Sequence, residues 1–273
     1  MLNLFLWVGG ICLEPVQYAE RIIEEVRRVI LNHTSSAFIG LIVQGSAVKG
    51  GFIQGCSDID FILYLEDSIL NEGKKLPLEL CLDIHKDLSK INVEPFRYIQ
   101  FSVLTPQTNS YLGPIKGTYR LIAGRLLVPE ATSGQLLTDA VKALSELNPD
   151  NAFDPHRLFD HGEDRIERSA RLLCTIVWPV LFQLLTVIHK DGIKIWNLSK
   201  QEAISLLGMC SAGTAIQSFH QALLDYYPQE NSVDKALAVI QEGVFFLRAA
   251  KQHWTNCLSE DHKVREDFKT RGM

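Results

Sequence analysis

The chain has 273 residues, 47% of them hydrophobic and 22% charged, with a formal net charge of −5. That is ordinary globular composition, long enough for one large domain or two modest ones. The negative balance argues against a protein whose main task is gripping a nucleic-acid backbone, and no run reaches the roughly 20 apolar residues that a membrane-spanning helix needs.

The six cysteines, Cys12, Cys56, Cys81, Cys174, Cys210 and Cys257, are scattered, with no CxxC pair. Neither a disulfide framework nor a zinc site is expected, and the compartment expected is a reducing cytoplasm. The apolar start, Met1 to Leu13, lacks a positive leader and a small-residue cleavage site and runs straight into Glu14, so a buried N-terminal segment is expected there.

Pro15 to Asn32 reads as a helix, with Tyr18, Ile22, Ile23, Val26, Val29 and Ile30 on one stripe and the charged residues largely outside it. Ala37 to Val43 is a short apolar run between turn formers, hence a buried strand. A glycine-rich stretch, GSAVKGGFIQGCS, follows from Gly45 to Ser57. Asp58 to Leu65 reads as a second strand, Leu76 to Lys90 as a helix, and Arg97 to Leu104 as a third strand. Residues 106–118 are rich in Pro, Gly, Asn and Thr and mark an expected boundary. Leu121 to Val128 is ambiguous between strand and helix.

From Ser133 onward the pattern is helical, near 133–147, 163–190, 199–208, 213–226 and 232–258, with breaks at 148–155 and 190–200. Ser199 and Glu202 form a capping box at the start of one helix. The expected fold is α+β: a small mixed β-sheet head with helices over 1–110, then an all-helical bundle over 111–273, with the active site expected in a cleft between them.

The informative chemistry is Gly45-Ser46, eleven residues, then Asp58-Ile59-Asp60. Strand alternation puts Asp58 and Asp60 on one face. Two carboxylates at that spacing suit a hard divalent cation, Mg²⁺ above all, bridging to triphosphate oxygens. Gly45 admits a phosphate close to the backbone, and Ser46 offers its hydroxyl and amide. A short helix opening at Ala47 would add favourable charge at its N-terminus. Gly50, Gly51 and Gly55 permit the tight return of the chain. Lys49 is a candidate phosphate contact or a plain loop lysine. Gly40 and Gly45 have the glycine spacing of a P-loop, but Ser46 stands where the phosphate-gripping lysine belongs and Gly40 falls inside a strand pattern.

The stretch GSAVKGGFIQGCSDIDFILYLED resembles the nucleotidyltransferase superfamily of DNA polymerase beta, and within it the aminoglycoside nucleotidyltransferases and minimal nucleotidyltransferases. The resemblance is specific over residues 37–66 and architectural beyond 104. It implies that Gly45 and Ser46 hold nucleotide phosphates and that Asp58 and Asp60 bind Mg²⁺. It also implies transfer of a nucleoside monophosphate, AMP from ATP, to a hydroxyl of a small molecule such as an aminoglycoside-like antibiotic. AMPylation of a partner protein of toxin–antitoxin type, or nucleotide binding without turnover, are the alternatives.

The family pattern carries a third carboxylate on the strand beside Asp-x-Asp. Here Arg97 to Leu104 contains no acid, and Gln100 takes the expected place. Glutamine is neutral and no base near neutral pH, and losing a general base commonly forfeits roughly 10²–10⁴-fold in rate. Glu94 precedes that strand, beyond Pro95. Asp160, Glu163 and Asp164 form an acidic cluster ahead of a long helix. They are candidates for holding a cationic acceptor or replacing the missing acid, but the favoured reading is that they are ordinary complements of a helix N-terminus. Arg248 and His253 match the Arg-x4-His spacing of helical ribonuclease domains, a pattern that chance supplies easily on a basic helix. Phe245, Phe246 and Trp254 are expected in the bundle core, and His156 and His161 at the surface.

Overall fold

The computed structural model describes residues 6–8, 11–13, 15–108, 111–162, 164–227 and 232–271, with side-chain surroundings described between 19 and 256. The chain is α+β and forms two compact units that meet in sequence at Ala131 and Thr132.

The first unit opens on a short antiparallel pair, β1 (Leu6–Val8) and β2 (Ile11–Leu13). The burial expected for Met1 to Leu13 concerns side chains outside the described residues. Helix α1 (Pro15–Thr34) leads to β3 (Phe38–Gln44), the single turn α2 (Ser46–Lys49), β4 (Ile59–Leu65), α3 (Leu78–Leu88), β5 (Ile99–Leu104) and β6 (Tyr119–Gly124). The sheet runs β5-β4-β3-β6. It is mixed: β3 pairs antiparallel with β4 and β6, whereas β4 pairs parallel with β5. A parallel pair needs a crossover connection, and α3 provides it.

The apolar stripe of α1 packs Ile22, Val26 and Ile30 against Leu41, Val43, Ile59, Phe61 and Leu63, all essentially inaccessible to solvent. This core occupies one face of β4. Strand alternation then sends Asp60, Ile62 and Tyr64 to the other face, where Ile62 and Tyr64 pack with Ile39 and Ile42.

Strand β6 covers Tyr119–Gly124, the first part of the ambiguous 121–128, and the first compact unit runs to Ala131. The turn-rich residues 106–118 are a connection inside the first unit, which returns the chain to the open edge of β3. Composition cannot separate such a connection from a linker. The pairing also accounts for Gly40. It lies opposite Gly124, and a β-carbon on Gly40 would sit 2.0 Å from the Arg125 carbonyl oxygen. Gly40 therefore serves strand packing, not a phosphate loop.

The second unit contains α4 (Ser133–Glu146), the short α5 (Pro149–Ala152), α6 (Arg165–His189), α7 (Gly192–Trp196), α8 (Lys200–Leu207), α9 (Ser211–Tyr226) and α10 (Val233–Arg271). The Ser199–Glu202 capping box starts α8, and Thr132 with Gln135 forms another at α4. Both sequence breaks hold short helices, α5 and α7, because proline and asparagine or aspartate caps can open a turn that periodicity does not register.

Two expectations need correction. Helix α6 is long and apolar enough to cross a membrane by length and composition, with a window mean hydropathy of 2.0, although no such run was expected. Half of that window is buried inside the unit, including Leu173, Val177, Leu181, Leu184 and Leu185, and α6 packs on α4 and α10 as a core helix does. Phe246 and Trp254 are core residues of α10, but Phe245 is 46% exposed. Neighbours on a helix point about 100° apart, so adjacent phenylalanines cannot share one buried stripe.

Candidate functional site

The Gly-Ser turn sits at the end of β3. Gly45 has φ 74° and ψ −144°, a conformation that side chains essentially forbid. Its carbonyl accepts from the N–H groups of Val48 (3.1 Å) and Lys49 (2.9 Å), which closes α2. The helix opens at Ser46, one residue before the expected Ala47, and four residues are too few for a macrodipole of any strength. Any phosphate contact here rests on local N–H groups and the Ser46 hydroxyl. Lys49, half-buried, is the last residue of this turn.

The chain then returns through Gly50, Gly51 and Gly55, all at positive φ. Ser57 closes the return: its N–H donates to the Ile53 carbonyl at 2.9 Å, and its hydroxyl accepts from the Ile53 N–H at 2.9 Å. Phe52 packs on Phe96 with ring centroids 4.9 Å apart. The Arg97 N–H donates to Ser57 (2.9 Å), and the Ile59 N–H donates to Tyr98 (3.1 Å). The start of β4 is thereby tied to the start of β5, with Asp58 between those bonds.

One row crosses the sheet at this level. Asp60 is paired with Gln100 on β5 and with Gln44 on β3, and Gln44 is paired with Tyr119 on β6. The loop folds Gly45 back onto this row. A β-carbon on Gly45 would lie 2.8 Å from Asp60 Oδ2. The Gly-Ser turn and a carboxylate of the Asp-x-Asp strand are therefore in contact across fifteen residues of sequence. Asp58, half-buried, precedes Asp60 by two residues.

The donor set fits a hard divalent cation: two carboxylates and a hydroxyl, all oxygen. Among the described residues no group of three or more His, Cys, Asp or Glu side chains could hold a metal. The carboxylate pair is thus not a closed protein cage, and triphosphate oxygens would have to complete the coordination, as is usual for Mg²⁺.

Gln100 is exposed, and its Oε1 accepts a hydrogen bond from the Tyr98 hydroxyl at 2.9 Å. The other face of β5 belongs to the α1 core, with Phe101 stacked on Phe61 at 5.3 Å. Glu94 is exposed, just before the cis Glu94–Pro95 bond.

Farther along the Asp60 face lies a tyrosine cluster that sequence reading missed. The hydroxyls of Tyr64 and Tyr111 are 3.4 Å apart, and Tyr119 donates to Glu130 at 2.9 Å. Burial, then the Glu130 carboxylate, pushes the Tyr119 phenol up to about 12, and burial, then Tyr64, raises Tyr111 from its ordinary value. Alternation along β4 placed Tyr64 here. Nothing local in sequence pointed to Tyr111 or Glu130, which reach the face from the 105–131 connection.

In the second unit, Asp160 and Asp164 are exposed, and Glu163 lies outside the described residues. Asp164 stands at the cap position of α6 in a left-handed conformation, without a side-chain capping bond. The buried acid of this region is Glu167, bonded to Arg171 (3.2 Å) and to the Tyr227 hydroxyl (3.4 Å). Its i,i+4 arginine was the available clue. Arg248 pairs with Asp150 of α5 at 2.8 Å, and His156 and His161 are at the surface.

No family model matches the chain, and no curated protein does. Solved structures similar to it include the following two. One is spectinomycin adenyltransferase AAD(9) from Enterococcus faecialis with ATP and spectinomycin: 16% identity, 83% of this chain and 98% of that chain covered, TM-score 0.48. The other is CdnC of E. coli MS115-1 with ATP: 14% identity, 84% and 90% covered, TM-score 0.29.

Proposed function

We propose that the first unit binds a Mg²⁺–nucleoside triphosphate, ATP in the first instance, and transfers its nucleoside monophosphate to a hydroxyl of a small molecule. The contact between Gly45 and Asp60 carries this reading. A bare glycine backbone meets a carboxylate there, Ser46 follows it directly in sequence, and any side chain on Gly45 would fill the space. Asp58 and Asp60 would hold the cation, which neutralises phosphate charge when bound. Gly45 and Ser46 would position the terminal phosphates, and Lys49 would approach them.

In the transfer, the acceptor oxygen forms a bond to the α-phosphorus as the bond from that phosphorus to pyrophosphate breaks. The acceptor proton goes to solvent, since β5 presents no carboxylate beside Asp60. Catalysis of this kind rests on alignment and charge neutralisation. The acceptor proposed, on the motif's resemblance, is aminoglycoside-like, and the compartment is the cytoplasm. A second reading, a nucleotide-binding regulator with weak turnover, is favoured by Gln100 in the place of an acid.

The test is calorimetric titration of ATP with and without Mg²⁺, followed by pyrophosphate release from labelled ATP against an acceptor panel. Equal ATP affinity in both conditions would rule the first reading out.

A further inference from the structure

Gln100 pairs in parallel register with Asp60, so the two side chains are neighbours on one face of the sheet. A two-cation phosphoryl-transfer site holds its ions about 3.5–4 Å apart and needs anionic ligands on both. On this face the position beside Asp60 is a neutral amide. Of its two polar atoms, only the carbonyl oxygen could ligate a cation, because an amide NH₂ group is a donor. That oxygen is engaged by the Tyr98 hydroxyl at 2.9 Å. Nor does another acid complete the set, since no three metal-ligating side chains come together among the described residues. Glu130, on the connection after β6, is held by Tyr119.

We propose that this site takes a single divalent cation, the one that arrives on the triphosphate at Asp58 and Asp60, because the neutral Gln100 leaves the position of a second cation without an anionic ligand. The inference rests on the nucleotide reading above and deepens it. Gln100 acts by being neutral, and the bond from the Tyr98 hydroxyl adds no charge to it.

The experiment is a Mn²⁺ titration of the full chain, followed by electron paramagnetic resonance, with a non-hydrolysable ATP analogue present. Mn²⁺ bound per analogue is counted, and analogue binding is measured separately by calorimetry. The wild type is expected to hold one Mn²⁺ per bound analogue. Gln100→Glu should hold two, because it restores an anionic ligand beside Asp60. Tyr98→Phe should stay at one, because freeing a neutral oxygen adds no charge. Two Mn²⁺ in the wild type, or one in a folded Gln100→Glu that binds the analogue, would overturn the proposal. Should Gln100→Glu not fold, the wild-type count decides alone. Failure of the wild type to bind the analogue at all would instead remove the nucleotide reading beneath it.

Discussion

Gly45 lies against the carboxylate of Asp60 so closely that a β-carbon would stand 2.8 Å from Oδ2, at a backbone conformation of φ 74° that glycine alone adopts with ease. Space and strain coincide at one residue. Gly45→Val should therefore abolish Mg²⁺–ATP binding and also cost about 1–3 kcal/mol of stability. Calorimetry and urea melts together test this. A folded variant that binds ATP as the wild type does would show that the Gly-Ser turn is not the phosphate site.

Asp58→Asn and Asp60→Asn keep shape and remove charge. Each should weaken ATP binding in Mg²⁺ by at least about tenfold, the scale on which even outer-shell partners of metal ligands act. Binding in the presence of EDTA should change little. A parallel loss with and without Mg²⁺ would mean that the two aspartates support the fold and not the cation.

His220 of α9 sits beside Trp178, with ring centroids 5.8 Å apart, and burial followed by the charge of Lys200 lowers its pKa below the ordinary 6.5. The unfolded chain then takes up a proton before the folded one as pH falls. The sign is definite: this histidine's contribution is fully present above about pH 6.5 and is lost below it. Urea midpoints at pH 8 and pH 5.5 should differ more for the wild type than for His220→Gln. Identical differences would place the pH dependence elsewhere.

Gly243 lets α10 approach α6. A β-carbon there would lie 2.3 Å from Leu173 Cδ2 and 3.1 Å from the Phe219 ring, and both residues are fully buried. Gly243→Ala gains roughly 1 kcal/mol of helix propensity but overpacks a closed core, which costs about 1–3 kcal/mol. The steric term should win, lowering the urea midpoint without changing the slope. A raised midpoint would show that Leu173 has room to turn.

Local pattern was enough for most elements. The α1 stripe, the apolar run of β3 and the alternation of β4 each announce their own burial, because the periodicity of a helix or strand is set by its own backbone. The Gly-Ser and Asp-x-Asp residues were legible for the same reason: each belongs to a turn or strand whose geometry is local. Alternation along β5 separates the face of Gln100 from that of Phe101, but the register that puts Gln100 beside Asp60 belongs to the pairing of the two strands.

Tertiary structure alone decided what depends on distant backbone. Strand β6 exists because the edge of β3 is open to it, so 106–118, which reads as a boundary, became an internal connection. Gly40 needed its partner Gly124 to be understood, and the bond from Tyr98 that occupies Gln100 depends on side-chain rotamers that no spacing encodes. Glu167, near the start of α6, is set apart from the exposed acids before it only by Arg171 and Tyr227 bonding to it. Hydrophobic periodicity records which face an element buries. It does not record which element does the burying, since apolar contact is non-directional and the choice among partners is made by the fit of the whole core.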